Sequence, residues 1–214
     1  MIDRYRQAGL TRNPFAFSSD RPITPVDRGL PAPSYQAGTL VQVVGHKGAG
    51  KTTQVQAWRD DVAGPYHYVE PELGSRWTKP PMAPVVYADE VDRMAPPVRY
   101  RWFRRLARGR CCLIMGTHVD LSAVAERAGL ATTTHVLGPV DRATLDEIVR
   151  RRIEAVSLPG HPQFQLRPSQ VSAVHAAAGG SIRDAETLLH ELVAELVAER
   201  HVEQHAARRT VRIR

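Results

Sequence analysis

The sequence predicts an α/β protein: a mainly parallel, five-stranded sheet followed by a small all-helical region. Two observations carry this. Between residues 39 and 138 short apolar runs alternate with helical patterns or long crossovers, whereas beyond residue 139 only helical patterns occur. Within the first region, Leu40 to Thr53 reads LVQVVGHKGAGKTT, an apolar run that enters a glycine-rich turn and continues as a helix.

Residues 1–38 are polar and rich in Pro, Arg and Ser, and are expected to form a leader packed on the α/β core through Tyr5, Leu10, Phe15 and Phe17. Val41, Val43 and Val44 form the first strand, and a helix from Lys51 places Val55, Trp58 and Val62 on one face. Tyr66–Val69 is the second strand. The four prolines of residues 71–84 exclude a regular helix there. Val85–Ala88 is the third strand, Pro97–Arg108 a helix opened by Pro96-Pro97, Cys111–Met115 the fourth strand, Leu121–Arg127 a helix stopped by Gly129, and Thr134–Leu137 the fifth strand. Leu145, Ile148, Val149, Ile153 and Val156 then mark an amphipathic helix, and another spans Pro168 to Ala178. A last one is capped by Ser181 with a stripe of Ile182, Leu189, Leu192, Val193 and Leu196. The expected organisation is 1–38 leader, 39–138 α/β domain, 139–200 helical lid and 201–214 a frayed basic tail. No internal repeat is present.

Gly45, His46, Lys47, Gly48, Ala49, Gly50, Lys51, Thr52 and Thr53 match the spacing of a phosphate-binding loop. Glycines let successive N–H groups turn toward one anion, and the helix that follows adds its positive end. Lys51 is placed to reach the β- and γ-phosphates of ATP, and the Thr52 hydroxyl to ligate Mg²⁺. Asp89 and Glu90 end the third strand, where the first carboxylate can hold Mg²⁺ and the second can polarise water. Thr117, with His118 as the alternative, ends the next strand, and its role requires that strand to lie between the first and third. Arg183 stands in the first turn of the last helix, where it opposes the helix dipole; a triphosphate would compensate, making it a candidate for coupling the lid to ATP. Asn13-Pro14-Phe15 either contributes to a base pocket or packs on the surface.

Together these segments resemble the AAA+ P-loop ATPases over roughly residues 10–198: GHKGAGKT as Walker A, VVYADE as Walker B, Thr117 as sensor 1 and GGSIRD as the sensor 2 helix. Leu10-Thr11-Arg12-Asn13-Pro14-Phe15 also resembles the opening segment of a bacterial subgroup that includes ExeA-type secretion ATPases and regulators of DNA transposition. The resemblance implies ATP hydrolysis between the subunits of a ring or helical homo-oligomer, with an arginine finger from the neighbour. Arg127 is the first choice for that finger and Arg142 the second. The proline-rich 71–84 segment departs from the family pattern by replacing a helix. No winged-helix pattern follows the lid, which argues against a standard origin-binding initiator.

The formal charge of +7 and pI near 9.9 point to an anionic partner. The excess is concentrated in residues 98–110, with six arginines and no acid. On a helix, Val98, Trp102 and Leu106 share one face, and Arg101, Arg104, Arg105 and Arg108 share the opposite one. DNA, the acidic surface of another subunit or simple solvation would each account for that face. Arg208, Arg209, Arg212 and Arg214 would add non-specific affinity. Cys111 and Cys112, adjacent in a strand, cannot easily bond to each other, and the scattered histidines suggest no zinc site. No stretch approaches the roughly 18 apolar residues needed to cross a membrane, and no signal peptide is evident, which leads to an expected cytoplasmic location. The leading functional expectation is an ATP-hydrolysing protein that oligomerises with ATP and works with DNA or a protein partner. The alternatives are a P-loop kinase of a small molecule or nucleotide, and a low-turnover ATP-dependent switch.

Overall fold

The computed structural model describes residues 4–16, 26, 28–72 and 76–211. Phe17, Arg212 and Arg214 lie outside the described residues, as do the side chains of Arg208 and Arg209. In chain order the elements are α1 (Arg4–Gln7), β1 (Thr39–Gly45), α2 (Lys51–Asp61), β2 (Tyr66–Tyr68), β3 (Val85–Asp89), α3 (Pro96–Arg108) and β4 (Cys112–Thr117). They continue with α4 (Ser122–Ala128), β5 (Ala131–Leu137), α5 (Arg142–Val156), α6 (Pro168–Ala178) and α7 (Ile182–Val211). Two compact units result: residues 27–138, and residues 1–26 together with 139–214.

The first unit holds a five-stranded sheet of order β2-β3-β4-β1-β5, and every pairing is parallel. Because alternate residues of a strand face opposite ways, both faces need apolar side chains and helical cover. Leu40, Val86, Ala88, Leu113 and Met115 pack with Trp102, Phe103 and Leu106 of α3 and Ala125 of α4. Val41, Val43, Tyr87 and Ile114 pack on the other side with Val55 and Trp58 of α2. Cys111 and Cys112 divide between these two clusters, and both are free thiols. Gln42 is the polar residue in the middle of β1, and it is satisfied. Its Nε2 donates to Thr134 Oγ1 (2.8 Å), and its Oε1 accepts from Leu121 N (3.0 Å). That amide fastens β1 to β5 and to the start of α4.

Residues 76–82 of the proline-rich segment form a strap beside α3. Arg76 O accepts from Ala95 N (3.2 Å) at one end, and Pro81 O accepts from Trp102 Nε1 (3.2 Å) further on. Proline cannot donate the bonds of a helix or sheet, so side-chain and loop donors hold this stretch instead.

The second unit corrects two expectations. The leader was expected on the α/β core, but its Ala8, Leu10 and Phe15 are buried with Leu145, Val149, Ile153, Phe164, Leu189 and Val193 of the helical unit. Thr11 N donates to Val156 O (2.8 Å) and Leu158 N to Gly9 O (2.8 Å), so backbone groups at the end of α5 are satisfied by this segment, and Asn13 Nδ2 donates to His190 O of α7 (2.9 Å). Residues 28–38 behave differently and belong to the α/β unit, where Tyr35 Oη donates to Trp58 O (2.9 Å). The last helix also runs further than expected, through Val211 rather than ending near residue 200. No helix among the described residues is long and apolar enough to cross a membrane.

Candidate nucleotide site

The carboxyl ends of β1, β3 and β4 lie side by side, in the registers Val44 with Thr117 and Asp89 with Gly116. This is where ligands gather in open parallel sheets. Between β1 and α2 the chain turns through Gly48 (φ +82°) and Gly50 (φ +94°), left-handed positions at which a side chain would be strained. Gly45 is equally constrained, because a Cβ there would lie 2.9 Å from Leu137 O. Arg28 braces the turn, donating to Ala49 O (3.0 Å) and Gly138 O (3.2 Å). Lys51 is 5% exposed and folds over the loop, its Nζ donating to Gly45 O (2.9 Å) and His46 O (2.9 Å) and lying 3.3 Å from His118 Nδ1.

Asp89 is fully buried. Its Oδ2 accepts from Thr52 Oγ1 and from Tyr66 Oη (3.3 Å), and its Oδ1 accepts from Glu90 N (3.0 Å). Burial, and then the Asp89 charge, push the Tyr66 phenol well above its ordinary value of 10.0. Thr52 and Asp89 therefore present two adjacent hard oxygens, a donor set suited to Mg²⁺. With the glycine turn, the α2 N-terminus and Lys51, the residues fit a magnesium-bound triphosphate. Gly116 permits the arrangement: a Cβ there would sit 2.4 Å from Asp89 Oδ1.

Glu90 adopts φ +59°, ψ 32°, uncommon for a residue with a side chain, and starts the 3₁₀ turn Val91–Arg93. Its carboxylate pairs with Arg93 (3.1 Å) and His118 Nε2 (2.9 Å). His118 thus stands between Lys51 and Glu90. The strand order meets the condition set for Thr117, since β4 lies between β1 and β3. The Thr117 hydroxyl, however, is fully buried against Asp92 Oδ1 (3.1 Å) and Val119 O (3.0 Å), so His118 is the side chain at this strand end that touches the loop lysine and the acid.

The remaining candidates are dispersed. Arg127 is exposed in the last turn of α4. Arg142 is engaged within the helical unit, pairing with Asp146 (2.9 Å) and donating to Pro168 O (3.0 Å). Arg183 is exposed in the first turn of α7. Phe15 is 5% exposed in the helical unit's core and Asn13 Oδ1 accepts from Phe15 N (2.9 Å), so this segment is spent on packing there. Arg101, Arg104, Arg105 and Arg108 all lie on the exposed face of α3, opposite buried Trp102, Phe103 and Leu106. Four contributors carried no readable signal in the sequence: Arg28, Tyr66, Gly116 and the Arg93 partner of Glu90. Each acts through a neighbour distant in sequence or across a turn, with no motif spacing to mark it.

No protein-family model matches the sequence, and no curated protein does. Solved structures do. One point mutant of Thermotoga maritima RuvB superimposes with a TM-score of 0.58 at 17% identity, covering 76% of this chain and 57% of that one. A second point mutant of the same RuvB gives 0.55 at 18%, covering 76% and 56%. The Aeropyrum pernix ORC1 protein, solved in complex with DNA, gives 0.52 at 19%, covering 76% and 55%. The chain spans little more than half the length of these neighbours. At such identities the likeness is one of fold: a parallel, five-stranded α/β sheet with a glycine loop after its first strand.

Proposed function

We propose that the chain binds Mg²⁺-ATP at residues 45–53 and hydrolyses it, assembling as a homo-oligomer that works with DNA or a protein partner. The observation that carries the reading is the meeting of Lys51, the Thr52–Asp89 pair and Glu90 at the ends of adjacent parallel strands. Magnesium, when bound, would supply charge neutralisation for the phosphates. The backbone of the loop orients the triphosphate, Lys51 exchanges carbonyl partners for phosphate oxygens, and Asp89 holds Thr52 in place. Glu90 accepts a proton from the attacking water, for which its carboxylate must leave Arg93 or His118. Arg183, and Arg127 of a neighbouring copy, are the arginines assigned to answer the γ-phosphate. The ORC1 neighbour was solved in complex with DNA, which favours a nucleic-acid partner over a small acceptor molecule.

The test measures nucleotide binding, phosphate release and particle size, with and without DNA. Lys51→Ala should weaken ATP binding at least tenfold, whereas Glu90→Gln should keep binding and lose nearly all turnover. Arg183→Ala and Arg127→Ala should lower turnover more than binding. Phosphate transferred only to a small acceptor by a steady monomer would establish a kinase instead. Tight binding with no release under any condition would establish a switch.

A further inference from the structure

Residues 76–82 and 96–110 contain no acidic residue, yet they lie together along one side of the α/β unit. On α3 the helical period brings Arg101, Arg104, Arg105 and Arg108 to the exposed face, a ladder spanning about 10 Å of helix axis. Beside it runs the strap, fixed to the start of the helix through Ala95 N and to its middle through Trp102 Nε1. The strap carries Lys79, exposed, and Trp77, which is 65% exposed. An indole left in water costs hydrophobic free energy, and here it stands in a strongly cationic surrounding.

We propose that this face is a platform for single-stranded nucleic acid, with phosphates on the arginine ladder and a base stacked on Trp77. Cations track a phosphate backbone whatever its sequence, and every base offers a π-face to an aromatic side chain. A duplex keeps those base faces inside its stack, leaving Trp77 nothing to stack on. An acidic protein surface would match the arginines, but single-stranded nucleic acid alternates a phosphate and a base at every step and so meets both the ladder and the indole. The bonds of Arg76 O and Pro81 O that join strap and ladder lie within the α/β unit and involve none of the loop residues 45–53. The proposal names the partner and the surface left open by the function proposed above, without resting on ATP binding.

Trp58 and Trp102 are 4% and 1% exposed, so external quenching of tryptophan emission reports on Trp77. Titrating the full chain with an oligothymidylate of about 20 nucleotides, with and without Mg²⁺-ATP, should quench that emission in both conditions. Trp77→Ala should abolish the quenching and weaken binding of a labelled oligonucleotide by about five- to a hundredfold. Arg104→Gln with Arg105→Gln should flatten the slope of log affinity against log salt by about 1.4. Both sets of substitutions are on exposed positions, and thermal melts identical to the parent's establish that the fold is kept. Parental affinity and salt slope in both variants would overturn the proposal. So would equal binding of the duplex without quenching, or an effect of the arginine changes on particle size alone, which would assign the face to subunit contact. Lost ATP binding with intact oligonucleotide binding would sink the ATPase reading and leave this one standing.

Discussion

A methyl group on Gly116 would push against Asp89 Oδ1 from one side and lie 3.3 Å from Lys51 Cβ on the other. Neither neighbour can retreat cheaply, since Asp89 is buried among Thr52, Tyr66 and the Glu90 amide. Gly116→Ala should therefore cost about 1–3 kcal/mol in denaturant unfolding. It should also lower magnesium-dependent ATP affinity at least tenfold by calorimetry, while magnesium-independent binding suffers less. Lys51, Thr52, Asp89 and Glu90 were legible because each sits at a fixed offset from a strand end, which sequence records directly. Gly116 and His118 were not assigned as principal site residues, because their importance arises from what faces them across the sheet. The αL conformation of Glu90 was also invisible: residues that favour that region are glycine and asparagine, and a glutamate there is held by its surroundings.

The period of α3 was legible in the sequence. In α3 the exchange of apolar and arginine positions every three or four residues fixed its two faces, and the Pro96-Pro97 pair marked its start to within one residue. The proline-rich segment has no period, so the strap that residues 76–82 form on α3 emerged only from the bonds of Arg76 O and Pro81 O. Likewise β5 begins at Ala131, three residues before its expected start, because a run of threonines on an edge strand resembles a polar loop. At the start of α5, Asp141 Oδ1 accepts from Thr144 N (2.7 Å). Asp141→Ala should destabilise the helical unit by about 1 kcal/mol, measured as a lower thermal midpoint for that unit with the nucleotide affinity of the loop preserved.

At the scale of the molecule, the short apolar patches of residues 4–16 were recognised, but not which unit they complete. A patch of two or three apolar residues fits many partners, and only the pairing of Leu10 with Ser157, Thr11 with Val156 and Asn13 with His190 decides the matter. Deleting residues 1–16 should therefore loosen α5 and α7, seen as faster amide hydrogen exchange there, with the sheet of the α/β unit unchanged.

That arrangement also sets an order of events during synthesis. By the time residue 138 has left the ribosome the whole sheet is available and can close, yet Leu10 and Phe15 still await Leu145, Ile153, Leu189 and Val193. For the time taken to translate those later helices, the nascent chain carries a finished domain with an uncovered greasy head. A holding chaperone, or brisk elongation through residues 139–197, is what would keep that intermediate from sticking to its neighbours.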